Sequence, residues 1–253
     1  MIQYSSFCTL QPGKNVPSRR KIRASAQDFK ICYTGPMISL VAFLGNYGRE
    51  YEQTRHNVAW QFAESLPFYQ KFSWQEKFKG DYAVAEPAAL AEWFQQTGLL
   101  TTKDGGAAPL PKNAPDKIYF LKPLTYMNLS GESIGELAHF FKIPPEQVLV
   151  VHDELELPLG TLSLKWSGGL GGHNGLRSTK AVLGTADFWR LRFGLTKPQN
   201  RDIADYVLSA FTAEERPVLH AVFEEGAKLF AKLLLSSDPN RLIAEWGKKK
   251  VVS

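Results

Sequence analysis

From residue 37 onward the chain has no cysteine; its only two, Cys8 and Cys32, come earlier. The body therefore has no disulfide framework, no cysteine-based zinc site and no thiol nucleophile. A body without disulfides suits a reducing compartment. Also missing is any apolar run near the roughly 20 residues needed to cross a bilayer. The longest runs, 38–44 and 148–151, are strand-sized, so the chain reads as soluble, with no membrane contact. No register of its glycines gives G-x-G-x-x-G, which removes the dinucleotide fingerprint. No internal repeat is found. Residues 1–36 have neither helical nor strand periodicity and are rich in Ser, Pro, Gln and basic residues. They read as a disordered leader, as sequence after an upstream start codon with Met37 as the alternative start, or as an organelle transit peptide.

The body also lacks an excess of either charge. Of 30 basic and 25 acidic residues, six and one lie in 1–36, which leaves 24 of each in the remainder. The formal +5 belongs to the leader, so only local clustering argues for a nucleic-acid partner. One such cluster spans 163–201, where Lys165, Arg177, Lys180, Arg190, Arg192, Lys197 and Arg201 face a single acid, Asp187. That bias suits phosphate contacts, or a solvated face paired with acidic helices.

What is present is a chain of 253 residues, 44% hydrophobic, enough for one sizeable core. Short apolar runs at 38–44, 81–86, 117–122, 147–151, 160–165 and 189–195 read as strands. Amphipathic stretches at 57–66, 130–141 and 174–183, and the chain from 203 on, read as helices, the last ending in the basic tail Lys248-Lys249-Lys250. Asn57 is expected to cap the first helix. Ile134, Leu137, Phe140 and Phe141 are expected on one buried face of the second. Residues 87–115, with much Pro, Ala, Gly and Thr, read as a surface insertion. Strands separated by helices predict a single α/β domain over 37–253, with helices on both faces of the sheet.

Polar clusters end several of these elements: Asn46 and Tyr47 between glycines, with Tyr51 and Thr54-Arg55-His56-Asn57; Thr125-Tyr126-Met127-Asn128; His152-Asp153-Glu154; and a glycine-rich turn leading to His173-Asn174. In an open α/β sheet, loops at the carboxyl ends of parallel strands share one crevice. A crevice holding Asn46, Asn128 and Asn174, His56 and His173, and Asp153 points to a histidine that activates water, oriented by the carboxylate, with amides holding an oxyanion. Each residue also has a bland reading, as cap or turn. A metal bound by His56, Asp153 and His173 is conceivable, but the spacing carries no metal signature. Gly131-Glu132-Ser133-Ile134-Gly135 matches the nucleophile elbow of serine hydrolases. No good strand precedes it, however, and Ser133 reads as helix packing.

Taken in order, Leu44-Gly45-Asn46-Tyr47-Gly48, Thr54-Arg55-His56-Asn57, the Lys122–Gly131 stretch with Tyr126-Met127-Asn128, His152-Asp153-Glu154, Gly171-Gly172-His173-Asn174-Gly175 and Trp189-Arg190-Leu191-Arg192 closely resemble the bacterial-type peptidyl-tRNA hydrolases. The resemblance implies a monomeric α/β enzyme with a twisted mixed, largely parallel sheet and no metal or other cofactor. It would act in translation and ribosome rescue, cleaving the peptide–tRNA ester at the acceptor end and 3′ CCA. It implies His56 as base, Asp153 as its orienting acid and Asn46 and Asn128 on the ester. Tyr51 and Met127 would lie on the peptide side, His173 and Asn174 near the 3′ end, and Lys165 and Arg192 on tRNA phosphates. The implied location is the cytoplasm, or an organelle if the leader is a transit peptide. Tyr47, Leu170 and Ser163 depart from the family pattern. Two other readings stand beside this one: an inactive relative acting as an organellar RNA-splicing factor, and an esterase using Ser133.

Overall fold

A computed structural model describes residues 37–252. The leader, with the expectations made for it, lies outside the described residues. Eight strands are found there: β1 (Leu40–Phe43), β2 (Gln75–Lys77), β3 (Gly80–Ala85), β4 (Ile118–Pro123), β5 (Val148–Glu154), β6 (Thr161–Trp166), β7 (Trp189–Gly194) and β8 (Lys249–Lys250). The helices are α1 (Val58–Ser65), α2 (Pro87–Gln96), α3 (Ser130–Phe140), α4 (Asn174–Leu183), α5 (Ile203–Val207), α6 (Glu215–Leu234) and α7 (Asn240–Trp246). The strands form one sheet in the order β2-β3-β4-β1-β5-β7-β6-β8. Its centre, β4-β1-β5-β7, is parallel, and both margins are antiparallel. The sheet is thus mixed and largely parallel in its core, flanked by helices as expected. No described helix is long and apolar enough to cross a membrane.

The central strands are apolar without interruption because both of their faces are covered. Successive side chains point to opposite faces. Val41, Phe43, Leu149 and Val151 join a core with Phe62 of α1 and Leu229 and Phe230 of α6. Leu40, Ala42, Val148 and Val150 join another with Ile134 and Leu137 of α3 and Leu176 of α4. The chain leaves β1 toward β4 and, after β4, crosses to β5 on the other side of β1. That reversal opens a crevice at the carboxyl ends of β1, β4 and β5, where ligands bind in such sheets.

Four expectations are corrected. The 87–115 stretch is not all surface: it opens with α2, whose Leu90, Ala91 and Phe94 are buried. Proline at the first helical position and good helix formers after it explain the helix. Phe140 is 59% exposed, not core. It is the last residue of α3 and rests on Phe78, beneath the Lys77 ammonium 4.7 Å away. Asn57 makes no cap bond to α1, because its amide is engaged elsewhere. The basic tail is not helical; Lys249 and Lys250 add an edge strand to β6.

Candidate active site

The first arm of the site is the loop after β1. Asn46 is buried, and its backbone is clasped by the Asn57 side chain, which accepts from the Asn46 N–H (2.8 Å) and donates to its carbonyl (2.9 Å). The Asn46 Oδ1 accepts from the backbone N–H of Met127 (2.8 Å). This fixes the amide so that its NH₂ is left for the crevice. Met127 opens the turn after β4, and one bond ties the β1 and β4 loops together.

His56 occupies a 3₁₀ turn, Arg55–Asn57, immediately before α1. The turn is held from outside by Arg55. Its buried guanidinium donates to the Ser209 hydroxyl (2.7 Å), to the Ala210 carbonyl and to Glu215 (2.5 Å), and lies 4.6 Å over the Tyr206 ring. The segment it grips includes α5, which forms one wall of the crevice.

Asp153, within β5 and not after it, is 2% exposed. One of its oxygens, Oδ1, meets His56 Nδ1 at 2.8 Å and His173 Nε2 at 2.9 Å. His173 caps α4: its Nδ1 accepts from the backbone N–H groups of Gly175 (3.1 Å) and Leu176 (3.4 Å). An accepting Nδ1 puts the ring proton on Nε2, so His173 donates to Asp153. The cap reading and the site reading of His173 therefore both hold. Burial alone would raise the Asp153 pKa. The charges of His56 and His173 and the hydrogen bonds from both outweigh it and hold the carboxyl well below the usual carboxylate range. For His56, burial opposes the charged form, yet the Asp153 charge and hydrogen bond prevail and raise its pKa above the ordinary 6.5. Behind them His152 is fully buried. Burial, then the neighbouring His173, pushes its pKa far down, and its Nδ1 lies 2.5 Å from the Asp153 carbonyl oxygen.

These groups line an open crevice of about 730 Å³. Asn46, Tyr51, His56, Met127, Asn128, Asp153, His173 and Asn174, all named from sequence, lie along it. Lys165 and Arg192 do not. They sit on β6 and β7, where Arg192 is paired with Glu154 (3.3 Å) and donates to Ser163 (2.6 Å). Tyr126 and Arg177, named from sequence only as members of a polar cluster and a basic stretch, line the crevice too, and sequence reasoning missed the α5 wall with Ile203 and Val207. No local motif signals α5, which reaches the crevice only through the packing around Arg55. The one metal-compatible group among the described residues is His56, Asp153 and His173, whose ligand atoms lie within 4.8 Å of one another. Here those atoms are joined by hydrogen bonds. Ser133 lies inside α3, 0% exposed; its Oγ is close to where a Cβ on Gly80 would be, so it faces β3 and cannot serve as an elbow.

A mixed α/β sheet whose parallel centre carries, at its carboxyl edge, an imidazole–carboxylate pair among amides defines a hydrolase class that needs no side-chain nucleophile. Residues 40–252 match the peptidyl-tRNA hydrolase family. A peptidyl-tRNA hydrolase of Treponema pallidum (strain Nichols) is 41% identical over 220 residues, covering 85% of this chain and 98% of that protein. One from Desulfitobacterium hafniense (strain Y51) is 44% identical over 192 residues, covering 76% and 90%. The crystal structure of the Acinetobacter baumannii peptidyl-tRNA hydrolase superposes with a TM-score of 0.62 at 30% identity, over 79% of this chain and 90% of that one. The chain belongs to the peptidyl-tRNA hydrolase family.

Proposed function

We propose that this protein hydrolyses the ester joining a peptide to the 3′ end of tRNA, releasing the peptide and free tRNA, with 37–253 as the catalytic domain. The observation that carries the reading is the His56–Asp153 contact of 2.8 Å beside the fixed Asn46 amide. His56 Nδ1–H donates to Asp153, which leaves Nε2 for the crevice. Nε2 takes a proton from water as the water oxygen bonds to the ester carbonyl carbon. Asn46, and Asn128 at the mouth, donate to the oxyanion. When the carbon–oxygen ester bond breaks, the imidazolium returns its proton to the departing ribose oxygen. Asp153 stabilises the imidazolium between these steps. His173 is a poor alternative base, because both its nitrogens are engaged. Tyr51 and Met127 would border the peptide, and His173 and Asn174 the 3′ CCA. Lys165 and Arg192 would meet phosphates of the acceptor end. One chain supplies every group, so action as a monomer is part of the proposal. So is a cytoplasmic location, where peptidyl-tRNA arises.

The test is His56→Ala with purified peptidyl-tRNA, with and without chelator. A general base contributes about 10²–10⁴-fold. The variant is expected to bind as wild type does and to cleave at least ~100-fold more slowly, and chelator is expected to change neither protein. Wild-type protein that binds RNA but cleaves no ester would favour the RNA-binding reading.

A further inference from the structure

The last strand carries charge that the site described above does not use. β8 pairs antiparallel with β6, Thr161 opposite Lys250 and Leu162 opposite Lys249. Directly paired residues share a face, and neighbours along a strand alternate. Leu162 belongs to the core under α6. Lys249 accordingly turns that way, with its ammonium 3.0 Å from Glu225 of α6 and 3.8 Å from the Trp246 ring centre. Lys250 therefore points to the opposite face, and Lys248, in the bend just before the strand, is exposed next to it in the chain. That face also carries Ser163, Lys165, Arg190 and Arg192, since Ser163 pairs with Arg192 and Lys165 with Arg190.

The chemistry of this face is one-sided. Arg190 is spent beneath the glycine turn, on the Gly168 and Gly169 carbonyls. Arg192 is paired with Glu154. Ser163 is neutral and bonded to Arg192 and the Gly247 carbonyl. Lys165, Lys248 and Lys250 have no ion pair among the described residues, and Lys248 and Lys250 are exposed. Burial and the neighbouring Arg192 and Arg190 lower the Lys165 pKa, and Glu154, already paired with Arg192, only partly opposes them. The tail is also held in place. Val251 donates to the Gly160 carbonyl (2.8 Å), and Lys249 anchors it on the other side. β8 stands three strand spacings from β5, roughly 14 Å from the catalytic carboxylate.

We propose that Lys248 and Lys250 bind backbone phosphates of the RNA substrate, extending to the sheet margin the cationic face begun by Lys165. The proposal rests on the function proposed above. A tRNA whose 3′ ester lies in the crevice must carry its double-stranded stem beyond it, and phosphate contacts position such a partner without reading sequence.

The experiment compares wild type, Lys248→Gln/Lys250→Gln and Lys248→Arg/Lys250→Arg. Affinity for an amide-linked, uncleavable peptidyl-tRNA is measured across a salt series. Cleavage of a peptidyl ester on a short CCA oligonucleotide is measured alongside. The Gln pair is expected to reduce the log–log salt slope by roughly two units, the Arg pair to keep it, and all three to cleave the short ester equally. Both positions are exposed, so melting temperatures are expected to agree. An unchanged slope in the folded Gln variant would overturn the proposal. So would an equal loss on the short ester, which would mean a structural role. Failure of wild type to cleave any peptidyl ester would end the reading of the crevice and leave the slope comparison standing.

Discussion

A carboxylate as buried as Asp153 would suffer a penalty of several kcal/mol if left unpaired. Two imidazoles on the same oxygen remove that penalty, and they divide the work. His173 is locked as donor to Asp153 and acceptor at the start of α4, so it supports the carboxylate. His56 has one nitrogen committed and one available. Asp153→Asn tests this division. The base must be neutral to accept a proton, so activity rises with pH through the His56 pKa, which lies above 6.5 in the wild type. Removing the Asp153 charge leaves burial as the larger influence, and burial lowers that pKa. The Asn variant is therefore expected to lose about 10²-fold or more in turnover, and its acid limb should move to lower pH. A pH–rate profile measures both. Full rate with an unmoved limb would reduce Asp153 to a strand-end residue. His56 and Asp153 were legible from their residue types at the ends of elements. The pairing of both histidines on one oxygen was not, because it depends on how far α4 and the turn before α1 stand from β5.

At the scale of elements, the decisive packing is α3 on α4. A Cβ on Gly131 would lie 2.2 Å from the Ser178 carbonyl oxygen, and one on Gly135 would lie 2.2 Å from Val182 Cγ1. Glycine is required there for close approach, which accounts for the resemblance to a nucleophile elbow without any catalytic serine. Gly131→Ala measures the requirement. Alanine improves helix propensity by at most about 1 kcal/mol, whereas forced overpacking costs typically 1–3 kcal/mol or more. Because the clash is with backbone, strain is expected to win by about 2 kcal/mol, lowering the melting temperature by roughly 4–8 °C. Calorimetry would detect it, and an equal or higher melting temperature would show that the helices can separate freely. Since His173 caps α4, the same variant is expected to lower turnover as well as stability.

For the whole molecule, charge balance matters more than total charge. The described body has a cationic face at the β6–β8 margin and, around an edge of the crevice, carboxylates already engaged by histidine or arginine. Binding to tRNA is expected to weaken with added salt. Lys165→Ala is expected to reduce the slope of that dependence by roughly one unit while sparing cleavage of a short ester. A slope that stays the same would leave the β6 face solvated, with tRNA docked elsewhere.

By itself the sequence determined the alternation of strands and helices, the span of α4, the absence of thiol chemistry and the identity of the polar groups at the crevice. Each of these is a local property: hydrophobic period, residue type or a motif of adjacent residues. Only the tertiary structure decided which groups meet. Asn57 reads as a helix cap because its neighbours in the chain are helical, yet its amide clasps Asn46, eleven residues away. Residues 87–96 read as surface because Pro and Ala carry little pattern, yet tertiary burial of Leu90 and Phe94 makes them a helix. Arg192 reads as a free cation until β5 and β6 bring Glu154 and Ser163 to it. The tail reads as a charge run until β6 offers it unpaired backbone groups and turns Lys249 and Lys250 to opposite faces. In each case the deciding partner is distant in sequence, and chain pattern carries no information about which distant groups the fold will bring within hydrogen-bond range.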